Sequence, residues 1–328
     1  MGTILKPGQQ PALLVLGRLP DPYEAMLQEN FSCLVALTHA DVAAIVAEHA
    51  AWIEGVVLIN ELGVSRDLIV ALPALRMIAN YGAGYDDIDL AAAAARGIVI
   101  ANTPDVTTEE VADVAMALLI MAVRNLNAAE RFLRAQQWTQ TESFPLSVST
   151  LRNRRLGIFG YGRIGRAVER RARGFGLEVS YHSRRRASDS AAHYFESLTA
   201  LAAHVDTLMI CVGGGADTFH CVDSDVLGLL GPNGIVVNVG RGSVIDTAAL
   251  VEHLEQRWIM AAALDVHEGE PEVAPALLAL DNVVLTPHLA SGSQHTHRMM
   301  GKLTYENVMS YFHTGTLLTP IKELSGKG

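Results

Sequence analysis

Apolar residues along this chain fall into short unbroken runs, and stretches of helical spacing separate them. Runs at Ala12–Leu16, Ser32–Leu37, Gly55–Ile59, Arg76–Ala79 and Ile98–Ala101 predict strands. Between them the pattern predicts helices at Tyr23–Glu29, at Val42–Ala50 with Asp41 as N-cap, from the cap Ser65 to Leu72, and at Asp87–Arg96. Unbroken apolar strands alternating with helices are the pattern of a parallel, doubly wound sheet. A long helix is expected from Thr108 to Ala122, continuing through Asn127 to Gln136. Glu109 and Glu110 lie in its first turn, where carboxylates favour the helix dipole. Trp138–Thr150 is polar with aromatic and proline interruptions, and reads as an exposed arm.

A second alternating series begins at Leu156–Phe159 and continues with Val179–Tyr181, Thr207–Cys211, Ile235–Val239, Ala261–Leu264 and Val283–Leu285. Its first strand empties into Gly160-Tyr161-Gly162-Arg163-Ile164-Gly165, and a helical pattern runs from Arg166 to Gly174. Strand, glycine turn, helix with G-x-G-x-x-G spacing is the arrangement of a dinucleotide-binding unit. The first glycine permits the turn and the second lets backbone approach a pyrophosphate. The third lets the helix pack close on the strand, and the helix N-terminus attracts phosphate. Six strands from that point predict a Rossmann sheet, and Ser293–Phe312 reads as a closing helix.

Composition narrows the function classes. The 328 residues are half apolar and 18% charged, enough for two cores. A formal net charge of −10 without a basic tract argues against a nucleic-acid surface. The apolar run Val111–Val123 stops at Arg124, too short to span a bilayer, so no membrane partner is expected. Cys33, Cys211 and Cys221 have neither disulfide-framework nor metal-ligand spacing, so no metal is expected. With no basic-then-apolar leader pattern ahead of Ala12, a cytoplasmic setting is expected.

Three polar residues stand at strand ends of the second series: Arg241 after Val236–Gly240, Glu270 within Leu264–Pro271, and His288 after Leu285-Thr286-Pro287. Open α/β sheets bind ligands outside the carboxyl ends of their strands, so all three fall on the ligand side. An arginine can hold a carboxylate in bidentate fashion, and a His–Glu pair is a general acid–base arrangement.

Six motifs in order, Gly82-Ala83-Gly84-Tyr85-Asp86, Asn102-Thr103-Pro104, Gly160–Gly165, Asn238–Ser243, Asp265–Pro271 and Pro287-His288, resemble the D-isomer-specific 2-hydroxyacid dehydrogenases over nearly the whole chain. The resemblance implies two Rossmann-like domains with the active site in the cleft between them. Residues 1–103 with 290–328 would form a discontinuous substrate domain and 104–289 the cofactor domain. A homodimer is implied, with Phe144 in an arm that could reach a neighbour's site or simply pack in the core. His288 would be the acid–base residue, Glu270 its partner, and Arg241 the grip on the substrate carboxylate. Tyr81, Gly82, Ala83 and Gly84 would bind that carboxylate through backbone N–H groups. Cofactor contacts would come from Thr108 (equally explained as a helix cap), Gly160, Gly162, Arg163, Ile164, Gly165, Val212, Gly213, Val239, Gly240, Asp265 and Ser291. His267 departs from the family, which usually has an aromatic residue there.

The second Rossmann strand ends in Tyr181-His182-Ser183-Arg184-Arg185-Arg186. An NAD enzyme places an acid here, about 20 residues beyond the fingerprint, for the ribose 2′-hydroxyl. Ser183 carries no charge, and Arg184 and Arg185 can grip a 2′-phosphate. These residues point to NADP(H), with NAD(H) the alternative. Phe144-Pro145-Leu146, the Ser-Arg-Arg run and Pro287-His288 most resemble the glyoxylate/hydroxypyruvate reductase branch, which implies NADPH-dependent reduction of small 2-keto acids. An NAD-linked D-lactate or phosphoglycerate dehydrogenase, and a non-enzymatic dinucleotide sensor, are the other readings.

Overall fold

The computed structural model describes residues 10–59 and 62–321. In chain order the first elements are β1 (Ala12–Leu16), α1 (Tyr23–Asn30), β2 (Ser32–Ala36), α2 (His39–His49), β3 (Ile53–Leu58), α3 (Arg66–Ala71), β4 (Met77–Asn80), α4 (Leu90–Ala95) and β5 (Val99–Ala101). Two helices follow, α5 (Thr108–Arg124) and α6 (Leu126–Arg134). The second series is β6 (Arg155–Phe159), α7 (Arg163–Gly174), β7 (Glu178–His182), β8 (His193–Phe195), α8 (Leu198–His204), β9 (Thr207–Ile210), α9 (Ser224–Leu230), β10 (Ile235–Asn238), α10 (Thr247–Glu255), β11 (Ala261–Leu264), α11 (Pro275–Ala279) and β12 (Val283–Leu285), and α12 (Gln294–Thr314) ends it. The chain divides into two compact units at Thr107/Thr108 and at Gly292/Ser293.

One unit takes residues up to 107 and from 293 onward. Its five strands pair in parallel in the order β2-β1-β3-β4-β5, a doubly wound arrangement. All five residues of β1 are buried, as a central strand covered on both faces must be. Helix α12 packs on α1 and β4 of this same unit. Thr38, not Asp41, is the N-cap of α2. Asp41 is the third helical residue and completes a capping box, accepting a bond from the Thr38 N–H.

The other unit, Thr108–Gly292, holds seven parallel strands in the order β12-β11-β10-β9-β6-β7-β8. This is the Rossmann order with one strand added beyond the sixth. The expected six strands omitted β8, an edge of only three residues, His193, Tyr194 and Phe195, too short to show an apolar run. Helix α5 buries Val111, Ala112, Ala115, Met116, Leu118, Leu119, Ala122 and Val123, one face at three-to-four spacing. That face lies on β10, β11 and β12 and against α7. The alanines of β11 and of α5 keep the layers close, and each larger side chain buried there contributes roughly 1.5–3 kcal/mol. The expected continuous helix breaks at Asn125, whose φ of +50° is left-handed, and α6 leaves α5 at 67°. Among the described residues no single helix is long and apolar enough to cross a membrane.

Candidate active site

The glycine turn comes first. Gly160 follows β6 with φ +96°, and a Cβ on it would meet the Val212 nitrogen at 2.6 Å. A Cβ on Gly165 would meet the Gly160 carbonyl oxygen at 2.4 Å. Both glycines are therefore forced by backbone packing. Gly162 differs: it is the N-cap of α7, and a Cβ there would meet nothing within 4 Å. The open position lies where the first helical turn presents N–H groups that lack intrahelical acceptors. A pyrophosphate fits that space and that polarity. Helix α7 starts at Arg163, three residues earlier than the apolar pattern suggests, so Arg163, Ile164 and Gly165 all belong to its first turn. Gly213 is a second open position on this rim. Thr108 opens α5.

After β7 comes the basic loop. The Ser183 hydroxyl donates to the Arg185 carbonyl at 2.8 Å, which curls the loop on itself. Arg184, Arg185 and Arg186 are all exposed. No carboxylate lies in this loop until Asp189, and Asp189 is committed to Arg166 at 2.7 Å.

At the other strand ends the rim closes by backbone contact. A Cβ on Gly240 would meet the Val212 carbonyl oxygen at 2.3 Å, and one on Gly242 would meet the His267 carbonyl carbon at 2.0 Å. Asn238, fully buried, shapes the turn between them: its side chain accepts from the Gly240 N–H and donates to the Arg241 carbonyl, both at 2.9 Å. Gly240 thus lies against Val212, the Val239 N–H bonds to the Ile210 carbonyl at 3.1 Å, and the Arg241 side chain lies over Gly214.

His288 Nδ1 lies 2.7 Å from Glu270 Oε2. The other oxygen, Oε1, accepts the His267 N–H at 2.6 Å. The His288 pKa is raised, first by the Glu270 hydrogen bond; burial and the nearby Arg241 charge oppose the rise, while the charges of Glu270 and Asp265 add to it. Burial alone would raise the Glu270 pKa, but the bonds from His288 and from the His267 N–H outweigh it and hold the carboxyl below its usual range. The ring is thus favoured as imidazolium with Nδ1 engaged, and Nε2 is the atom left to give a proton. About half of the His288 side chain is exposed and Glu270 is mostly covered, so the pair has one open face.

His288 has φ +49°, a left-handed conformation that costs of order 1–3 kcal/mol in a residue other than glycine. Asp265 holds it there. Its carboxylate accepts from the Thr286 hydroxyl at 2.6 Å and from the Leu289 and Ala290 N–H groups at 2.9 Å each. Three of the roughly four acceptor positions of a carboxylate are used, leaving one for a cofactor amide. Ser291 follows at the end of this loop.

In the other unit the 81–84 loop is narrower than its motif suggests. The Tyr81 N–H already bonds to the Leu58 carbonyl at 2.8 Å, and the Gly82 N–H to the Thr103 hydroxyl at 3.0 Å. Asn80 and Asn102 donate to the carbonyls of Gly82, Ala83 and Gly84 at 2.6–3.1 Å. With the carbonyls turned inward, the N–H groups of Ala83 and Gly84 are the pair left for a carboxylate. The Tyr81 hydroxyl donates to the His297 carbonyl at 3.0 Å, and burial pushes its pKa up to about 12.

Three participants are given no role by the sequence, although Gly242 lies in the Asn238–Ser243 motif and His267 stands out as a departure from the family. Gly242 lets the Arg241 turn touch the 267–268 backbone; its only trace is a glycine after the arginine. His220 Nε2 lies 2.7 Å from Glu268 Oε1, while Glu268 Oε2 accepts the Thr247 hydroxyl at 2.7 Å, anchoring the loop that carries Glu270. His267, in an aromatic residue's place, donates from Nε2 to the Thr286 carbonyl at 2.9 Å and ties the Glu270 and His288 loops together.

The sequence profile of the D-isomer specific 2-hydroxyacid dehydrogenase, NAD binding domain, matches residues 116–290. The chain is 36% identical over 298 residues to glyoxylate/hydroxypyruvate reductase A of Arabidopsis thaliana, covering 91% of this chain and 95% of that protein. It is 38% identical to the 2-ketogluconate reductase of Gluconobacter oxydans, over 82% of this chain and 86% of that one. Its fold superposes with a TM-score of 0.91 on the NADPH-dependent glyoxylate/hydroxypyruvate reductase of Sinorhizobium meliloti in complex with NADP and malonate, at 43% identity, covering 96% and 98% of the two chains.

Proposed function

The chain belongs to the D-isomer specific 2-hydroxyacid dehydrogenases, and on that premise we propose that it reduces small 2-keto acids, glyoxylate and hydroxypyruvate, to 2-hydroxy acids with NADPH. The observation that carries this reading is the His288–Glu270 pair at 2.7 Å on the rim of the nucleotide-binding sheet. The bound cofactor supplies the hydride. Everything else falls to the chain. Gly162 and the first turn of α7 hold the pyrophosphate, and Arg184 and Arg185 hold the 2′-phosphate. Arg241 binds the substrate carboxylate and polarises the keto oxygen, and in the other unit the Ala83 and Gly84 N–H groups are donors suited to a carboxylate. His288 gives the Nε2 proton to that oxygen as the carbonyl carbon is reduced, and Glu270 keeps the imidazole charged until it does. The unit 108–292 carries cofactor and proton chemistry, and the unit built from both chain ends recognises substrate.

The chain works as a homodimer in this reading, which the arm after α6 supports: Trp138 is 68% exposed, Leu146 95% and Val148 90%, an apolar load that water alone does not favour. Three free cysteines support a reducing cytoplasm. Steady-state rates with NADPH and with NADH, against glyoxylate, hydroxypyruvate, pyruvate and 2-ketogluconate, test the proposal. Turnover of the two small acids with NADPH is expected. No turnover of any 2-keto acid would leave only the sensor reading, and turnover with NADH alone would overturn the cofactor assignment.

A further inference from the structure

Three adjacent arginines in one exposed loop repel one another, and within the loop the Ser183 bond to the Arg185 carbonyl opposes this; further holding groups lie outside it. They are on α7 and in the glycine turn itself. Tyr161, the residue between Gly160 and Gly162, is buried and stacks on Tyr181 of β7 with ring centroids 3.9 Å apart and planes 21° apart. Its hydroxyl bonds to Glu169 and lies 2.6 Å from the Ser190 hydroxyl. The Tyr181 hydroxyl accepts the Ala187 N–H at 2.9 Å, and Tyr194 donates to the Ser183 carbonyl at 3.3 Å. Outside this stack, the Arg166 guanidinium lies 4.9 Å from the Tyr161 ring centroid and grips Asp189 with two nitrogens, at 2.7 and 3.2 Å. Both ends of the 183–190 segment are thereby fastened, and Asp189, the one carboxylate in it, is neutralised by Arg166.

We propose that Tyr161 and Arg166 are specificity-positioning residues, a brace that ties the pyrophosphate turn to the 2′-phosphate loop and so sets the preference for NADPH over NADH. Preorganisation is the physical reason. A loop already fixed when the phosphate arrives loses less conformational freedom on binding, and NADH, which makes no contact with that loop's arginines, gains nothing from it. The inference rests on the assignment of Arg184 and Arg185 to the 2′-phosphate.

Equilibrium Kd values for NADPH and NADH, measured by cofactor-fluorescence titration, test it. Tyr161→Phe keeps the stack and removes the bonds to Ser190 and Glu169. Ser190→Ala removes the Ser190 bond from the other side, together with the bond that the Ala192 N–H donates to that hydroxyl at 3.1 Å, and leaves the Glu169 bond in place. Each should raise the NADPH Kd by roughly 3–10-fold, the scale of one hydrogen bond, with the NADH Kd unchanged. The double variant should lose little more than Tyr161→Phe alone, because the Ser190 bond is already absent from it. Arg166→Gln and Asp189→Asn should form a second non-additive pair. Unchanged NADPH/NADH ratios in all four, with the Arg184→Ala/Arg185→Ala variant losing its preference, would overturn the brace alone. A wild-type protein without NADPH preference would overturn the cofactor reading and the brace with it. Equal losses for both cofactors would make Tyr161 a general fold residue and overturn the brace.

Discussion

Replacing Glu270 by Gln keeps the shape of the side chain and withdraws its charge. In the native site Glu270 Oε2 lies 2.7 Å from His288 Nδ1, and the His288 pKa is raised chiefly by that bond. The sign follows from which form reacts. Keto-acid reduction needs the imidazolium, so kcat/KM is full below the His288 pKa and falls as pH rises through it. Withdrawing the charge removes the main cause of the rise, so the falling limb moves to lower pH. A hydrogen bond between charged groups is worth about 1.5–3 kcal/mol, and half-exposure of the imidazole places this one at the lower end. Above the limb that corresponds to roughly a tenfold loss in kcat/KM, and at low pH to almost none. Oxidation of the hydroxy acid needs the neutral ring, so its rising limb should move to lower pH as well, and the variant should lose less in that direction. The assay is a pair of pH–rate profiles, one for each direction, with saturating cofactor. A limb that stays where it was in both directions would show that Glu270 does not govern the His288 proton, and the acid–base assignment would fail.

The remaining expectations are shorter. His288→Ala should lose roughly 100 to 10,000-fold in kcat, the usual worth of a positioned acid–base group, with cofactor Kd unchanged. Replacing Arg184 and Arg185 by Ala removes charged bonds worth roughly 1.5–3 kcal/mol each, so the NADPH KM should rise at least tenfold while that for NADH barely moves. Gly242→Ala sets a Cβ 2.0 Å from the His267 carbonyl carbon, a backbone clash that cannot relax through a rotamer; a lower Tm and a lower kcat together are expected, against a neutral substitution if the two loops are independent. If the proposed homodimer forms through the arm, Leu146→Asp with Val148→Asp should shift it to monomer on analytical ultracentrifugation; an unchanged mass would refute the arm as a dimer contact.

Local sequence was sufficient wherever the physics was local. Unbroken apolar runs such as Ala12–Leu16 and Ala261–Leu264 mark central parallel strands, because such strands are covered on both faces. Gly160 and Gly165 announce a glycine turn because backbone packing leaves no room for a Cβ at either, while Gly162 between them keeps the N-terminus of α7 open. Ordered motifs along the chain were enough to name the family. The sequence points to Asp41 as the cap of α2, and only the folded geometry shows Thr38 in that place with Asp41 answering it from the third helical position. Nothing in Arg124-Asn125-Leu126 announces a 67° bend, because the bend depends on what each helix packs against. Likewise β8 becomes a strand through pairing with β7, a partner its own three residues do not encode. At the site the division is the same. The residue types of Arg241, Glu270 and His288 could be read off the chain, but the pKa of His288 is set by distances to groups 18, 23 and 47 positions away. Those distances come from three loops meeting at one sheet rim, with Gly242 admitting the contact and Asp265 holding the histidine in its left-handed turn. Chemistry that depends on a 2.7 Å hydrogen bond is decided by tertiary packing, because a displacement of one ångström, invisible to sequence, removes it.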